Sequence, residues 1–156
     1  MNLQILYDNN AGNGFKAGWG FSCFIESDEH NIIFDTGWNG YILLYNMKIA
    51  NIDPTEIDKI IISHSHWDHI GGLNHILKYA RKPDIYIPKS VSSNLRNEIK
   101  RDANLIEISK PQMICENVFT SGELGDKIKE QSLILETGKG IVVVTGCSYP
   151  GLEHVI

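Results

Sequence analysis

Apolar and polar residues alternate with a period of two over residues 2–8 (NLQILYD), the spacing of a strand with one buried face. Residues 21–26 (FSCFIE) and 31–35 (NIIFD) read as two more strands joined by the polar turn 27–30 (SDEH). Residues 59–63 (KIIIS) form a continuous apolar run, the pattern of a strand covered on both faces. Further strands are predicted at 84–88 (DIYIP), at 104–109 (NLIEIS), within 112–123 and within 131–146, where TGKG supplies a hairpin turn. Between these runs the period lengthens. Residues 38–50, 73–82 and 90–102 predict helices, the second with Leu73, Ile76, Leu77 and Ala80 on one side. Pro54 fits the first turn of a short helix capped by Asp53. Residues 147–156 read as a loop and the start of a helix. Strands and helices alternate in the middle of the chain and hairpins flank them, which predicts an α/β layered domain of mixed sheets.

The totals agree with one folded domain over residues 1–156. The chain has 156 residues, 42% of them hydrophobic and 21% charged, enough for a core of ordinary size. A net charge of −5 works against a phosphate backbone, so no nucleic-acid partner is expected. Three cysteines (Cys23, Cys115, Cys147) give no disulfide framework. The start of the chain has no basic segment followed by a long apolar run, and no run approaches the ~20 residues of a membrane span. The expectation is a cytoplasmic protein with no membrane partner. The glycine-rich loop 9–20 lacks the Lys-Ser/Thr ending of a phosphate-binding loop.

One stretch changes this bland picture. Residues 63–72 (SHSHWDHIGG) crowd His64, His66, Asp68 and His69 behind the apolar run 59–63. Side chains two apart on an extended segment point the same way, so His64 and His66 can reach one ion. Imidazole nitrogens hold zinc at about 2.0–2.1 Å. Asp68 and His69 follow after the chain has turned toward the next helix and can face a second ion. A carboxylate among imidazoles at the mouth of a buried strand favours a cation. Gly71 and Gly72 let the backbone pass close to such a site.

The pattern His-x-His-x-Asp-His after a hydrophobic strand resembles the metallo-β-lactamase superfamily, whose fold is an αββα sandwich of mixed sheets. Together LYDN, GWGFS, FDTG, HSHWDHIGG, TSGEL and VVVTGCSYPG look like the branch related to a dihydropterin–ribosylaminobenzene phosphate synthase. The resemblance implies a small-molecule substrate and one or two divalent metal ions, zinc first, with iron and manganese also suited to these ligands. It implies that His64 and His66 serve one ion, that Asp68 and His69 serve another, and that Asp68 orients a water activated to hydroxide. Asp35, in IIFDTG, is implied as support for the metal loop; a turn or cap role is equally open. Cys147 falls where relatives place an Asp or Cys ligand, though a buried thiol is the plainer role for a lone cysteine. Oxygen-reducing flavodiiron relatives carry Glu at the position of His66, which argues against an oxidoreductase.

Two departures temper the enzyme reading. Members with VVVTGCS continue with a histidine where this chain has Tyr149, and they extend past the position of Ile156 to a last ligand histidine. The expected fold is therefore one with its C-terminal part missing, with a homo-oligomer or a companion C-terminal chain as partner. Two classes of function follow: a metal-dependent hydrolase acting on an ester, phosphoester or related bond, or a truncated, non-catalytic or split-subunit member with a degenerate metal site. Trp19 and Trp38 fit either a pocket rim or the edge of the core. Glu123, Glu130, His30, His75 and His154 read as solvated or surface residues.

Overall fold

The computed structural model describes residues 1–12, 14–27 and 29–155. Among the described residues, ten strands form two sheets. The first contains β1 (Asn2–Tyr7), β2 (Ser22–Glu26), β3 (Asn31–Phe34), β4 (Lys59–Ile61), β5 (Asp84–Pro88) and β6 (Asn104–Ile108), side by side in that order. β1, β2 and β3 pair antiparallel, whereas β3 to β6 run parallel. The second sheet is antiparallel, in the order β10 (Gly140–Val144), β9 (Leu133–Thr137), β8 (Val118–Thr120), β7 (Gln112–Cys115). The expected mixed α/β architecture is thus present.

Successive side chains on a strand face opposite sides, and this divides the core into two layers. Ile33 and Ile60 join Leu43, Met47, Leu73 and Ile76 beneath the helices. Their neighbours Ile32, Phe34 and Ile61 pack between the sheets with Val118, Leu133, Leu135 and Val144. The unbroken apolar runs of β3 and β4 follow directly from having both faces covered. Gln131 staples the sheets together at the end of β4. Its backbone N–H donates to Ser63 O (2.9 Å), and its side-chain amide donates to Ile62 O (2.8 Å) and Tyr86 O (3.2 Å). No helix among the described residues is long and apolar enough to cross a membrane.

Helices α1 (Gly40–Ile49) and α4 (Ser93–Asp102) lie within the predicted spans, capped by Asn39 and Ser92. Asp53 caps the turn at Pro54–Glu56 as expected, although that turn is 3₁₀. The helix expected over 73–82 is much shorter. It is α3 (Leu73–Ile76), preceded by a separate short helix, α2 (Trp67–Ile70), that already contains Asp68 and His69. Beyond Ile76 the backbone continues as turns, and Lys82 turns with φ +56° before the chain enters β5.

Gly71 and Gly72 are needed for room and not for conformation, since their φ values of −61° and −83° suit any residue. A Cβ at Gly71 would lie 2.1 Å from Trp38 O, and one at Gly72 would lie 2.3 Å from Thr36 O. These contacts press α2 and α3 against the loop after β3. The Gly72→Ala variant should therefore lose about 1–3 kcal/mol of stability in urea denaturation, the usual cost of overpacking. A loss below ~0.5 kcal/mol would mean that the two segments are not in rigid contact.

Candidate metal centre

Strand β4 delivers Ser63 and His64 to the edge shared by the two sheets. Both are buried, as is Asp35, which lies at the end of the neighbouring parallel strand β3. Asp35 takes a left-handed backbone conformation (φ +57°), uncommon for a residue other than glycine, and so turns its carboxylate toward β4. Its Oδ1 accepts Ser63 N–H at 2.7 Å. Its Oδ2 lies 2.6 Å from both Ser63 Oγ and His69 Nδ1.

With the Asp35 carboxylate ionised, these contacts assign the proton positions of the neutral imidazoles. An ionised carboxylate only accepts, so Ser63 O–H and His69 Nδ1–H both donate to Asp35. The Ser63 hydroxyl has spent its single proton, so at its 2.9 Å contact with His64 Nδ1 it accepts. His64 and His69 therefore carry their protons on Nδ1 and leave Nε2 as a lone-pair donor. His64 Nε2 is buried and has no hydrogen-bond partner among the described residues. His69 Nε2 is 3.3 Å from Cys147 Sγ, and the His64 and His69 ring centroids are 4.3 Å apart. Donor atoms of His64, His69 and Cys147 all lie within 4.8 Å of one another. Two imidazole lone pairs and a thiol converging on one point, one of them an orphaned buried nitrogen, fit a divalent cation.

The other motif residues surround this trio. His66 occupies the N-cap position of α2 without a side-chain capping bond, and its ring centroid is 4.5 Å from that of His64; its Nδ1 meets Tyr149 Oη at 3.2 Å. Asp68 Oδ2 lies 3.5 Å from His69 Nε2. α2 itself is strapped to the loop after β3, with Thr36 N–H and Thr36 Oγ1 both donating to His69 O at 2.7 and 2.9 Å. All five candidate ligands thus gather at one end of the sandwich, and Cys147 arrives from the second sheet.

Glu130, which the sequence alone left as a solvated acid, is buried and builds the Cys147 loop. Its Oε1 accepts Cys147 N–H (2.9 Å), Ser148 N–H (3.1 Å) and Thr145 O–H (3.0 Å), and its Oε2 accepts Tyr149 N–H (3.0 Å). Three consecutive backbone N–H groups converge on one carboxylate because Ser148 adopts φ +56°. The strand pattern held no sign of this, since Glu130 and the loop it holds meet only when β9 and β10 pair. His75 packs its ring edge-on against Tyr41, and His30 pairs with Asp58.

The family model of the metallo-beta-lactamase superfamily matches residues 20–148. The chain belongs to the metallo-beta-lactamase superfamily. Among curated proteins it is 28% identical to the 7,8-dihydropterin-6-methyl-4-(beta-D-ribofuranosyl)-aminobenzene-5'-phosphate synthase of Methanocaldococcus jannaschii, over 100% of this chain and 70% of that protein. It is 35% identical to the ribonuclease Z of Nanoarchaeum equitans, over 67% of this chain and 33% of that one. Among solved structures it superposes on Tm1679, a metal-dependent hydrolase of the beta-lactamase superfamily, with a TM-score of 0.80 and 26% identity, over 98% of this chain and 68% of that one. As a member of this superfamily, the chain has the expected hydrolase-like αββα sandwich.

Burial shapes the electrostatics of the centre. It pushes the Asp35 carboxyl up, against the hydrogen bonds from His69 and Ser63 that favour the ionised form. Burial also works against a charge on His69, but the hydrogen bond and charge of Asp35, with Asp68 and Glu130 behind it, outweigh this and raise its pKa. Burial raises the Cys147 thiol, as does the charge of Glu130. Burial, then the positive charge of His69, lowers His64 to about 4. A depressed imidazole binds its proton more weakly folded than unfolded, where the value is about 6.5. The unfolded chain therefore takes up this proton first, and the contribution to stability is lost as pH falls from about 6.5 to about 4. In urea denaturation of the metal-free protein, the parent should lose stability relative to His64→Gln across that window. A difference that stays constant through it would contradict the burial of an unprotonated His64.

Proposed function

We propose that this chain is a metal-dependent hydrolase that cleaves an ester, phosphoester or related bond in a small molecule. The observation that carries the proposal is the clustering of a nitrogen of His64, a nitrogen of His69 and Cys147 Sγ within 4.8 Å of one another, with each imidazole contacted at Nδ1 by an oxygen. Two nitrogens and a sulfur favour zinc over harder cations, with iron the next candidate and manganese, which prefers oxygen donors, after it. A divalent cation at this point supplies acidified water and withdraws electrons from the bond to be cleaved.

The chain's own residues do the rest. In this reading Asp68, partly open to solvent and 3.5 Å from His69 Nε2, accepts a proton from water and holds its oxygen toward the substrate. Asp35 and Ser63 keep His64 and His69 from rotating or changing tautomer. Trp19, Trp38 and Trp67 are all exposed, Trp38 packs edge-on against Trp67, and Trp67 lies between His66 and Asp68 in sequence. These indoles give the organic part of a substrate an apolar rim to rest on. A relative named for a phosphorylated dihydropterin compound supports a small substrate of that general kind.

The second reading is a centre that binds a cation without turnover. What favours it is Tyr149, whose hydroxyl stands beside His66 where members of the branch place a histidine.

Metal analysis of protein purified without added metal, joined to hydrolysis of aryl phosphodiesters and aryl esters, separates the two. The hydrolase reading predicts at least about one ion per chain and measurable turnover, with His64→Ala and Cys147→Ser losing both and kcat/KM falling by at least ~100-fold. Tightly held metal with no turnover on any ester or phosphodiester would establish the second reading. Absence of bound metal, even after zinc is supplied, would defeat both.

A further inference from the structure

We infer that the outer side of α1 is a docking surface for a membrane that carries anionic lipids, with the protein lying on the bilayer and not through it. None of the α1 residues that form this surface is a candidate metal ligand, so the inference stands apart from the proposed function.

Helix α1 (GYILLYNMKI) is apolar on both sides. Leu43 and Met47 are buried in the core beneath the first sheet. On the other side Tyr41, Tyr45 and Ile49, spaced at i, i+4 and i+8, form a stripe open to solvent, with Tyr41 74% exposed. A helix with one face in water ordinarily carries charge on that face. Helix α4 (SNLRNEIKRD) obeys this with five charged residues, whereas α1 has one, Lys48.

The stripe continues into its neighbours. Tyr41 packs edge-on against His75, with ring centroids 4.6 Å apart, and Tyr79 is exposed four residues further on. At the other end Trp38, just before the cap Asn39, packs edge-on against Trp67, and its backbone N–H donates to Trp19 O at 3.3 Å. All three indoles are exposed. Single exposed apolar side chains are ordinary, but a contiguous patch marks an interaction surface.

The charges around the patch identify its occupant. Lys16 lies over the Tyr45 ring, with Nζ 4.1 Å from the centroid; Lys48 follows Tyr45 on α1, and Lys78 precedes Tyr79. All three lysines are exposed, and none is ion-paired among the described residues. Loop 9–20, α1 and residues 71–83 contain no acidic residue, in a chain whose net charge is −5. Asp68, next to Trp67, turns toward His69. Indole and phenol rings join an apolar body to a polar tip, which suits the headgroup level of a bilayer, and lysines beside them attract anionic headgroups. The stripe runs along the outside of a helix, a shape that lies flat on a bilayer, whereas a nucleic-acid strand is held in a groove. The expectation of no membrane partner came from the lack of a spanning run, and lying on the surface does not require one.

Sedimentation with vesicles tests the inference. The parent should bind vesicles of equal parts phosphatidylcholine and phosphatidylglycerol at least ~10-fold more tightly than vesicles of phosphatidylcholine alone, and the advantage should shrink as salt is raised. Brominated lipid chains should quench the tryptophan fluorescence of the bound protein. The double variant Tyr41→Gln/Tyr45→Gln should bind the mixed vesicles at least ~10-fold more weakly, and Lys48→Glu at least ~5-fold more weakly. Both should keep the parent's thermal midpoint within a few degrees, because the altered side chains face away from the core. Parallel titration with a single-stranded DNA and light scattering of the free protein report the other occupants. The inference is overturned if the mixed vesicles are not bound, or are bound equally by both variants. It is also overturned if the DNA is bound in place of the vesicles, or if the parent is a dimer that the double variant dissociates.

Discussion

The carboxylate of Asp35 has no exposed surface, and it accepts three hydrogen bonds, from Ser63 N–H, Ser63 O–H and His69 Nδ1–H. A buried carboxylate without such partners costs several kcal/mol, so these donors are obligatory. Satisfying Asp35 has a consequence beyond stability. It places the protons of two histidines on the nitrogens that face the protein, one directly and one through Ser63, and leaves Nε2 of each facing a shared space. Every chemical property of the centre depends on that choice of nitrogen.

The sandwich brings the other half of the centre to the same space. Parallel strands β3 and β4 set Asp35 beside Ser63, while Glu130, just before β9, and Cys147, just after β10, come from the second sheet. The two halves are clamped by Gln131, whose amide reaches backbone oxygens of the first sheet. Gly146 is forced by this closeness, because a Cβ there would lie 2.4 Å from Ser63 Oγ. Buried polar residues thus do two jobs at the junction: they register the sheets against one another, and they aim Cys147 at His69.

Much of this was legible in the residues. The strands and the long helices follow hydrophobic period, and the histidine motif is contiguous, so His64, His66, Asp68 and His69 could be named with the strand that delivers them. Asp35 could be named because it follows a strand in a recognisable local pattern. Glu130 and Gln131 could not. Their side-chain partners lie 11 to 69 residues away and meet them only through strand pairing and sheet packing. Ser63 was hidden for a different reason: a serine beside a histidine is unremarkable until the carboxylate behind it fixes which way its proton points. The shortened helix at Leu73–Ile76 shows the same limit, since the helical spacing of the apolar residues continues past the point where the helix ends.

The central claim is that His64 Nε2, His69 Nε2 and Cys147 Sγ bind one cation. Zinc K-edge X-ray absorption of the zinc-loaded protein tests it most directly. A shell of imidazole nitrogens at about 2.0–2.1 Å with one sulfur at about 2.3 Å, the sulfur lost in Cys147→Ser, is the expected result. A shell of nitrogen and oxygen only, unchanged by that substitution, would contradict it.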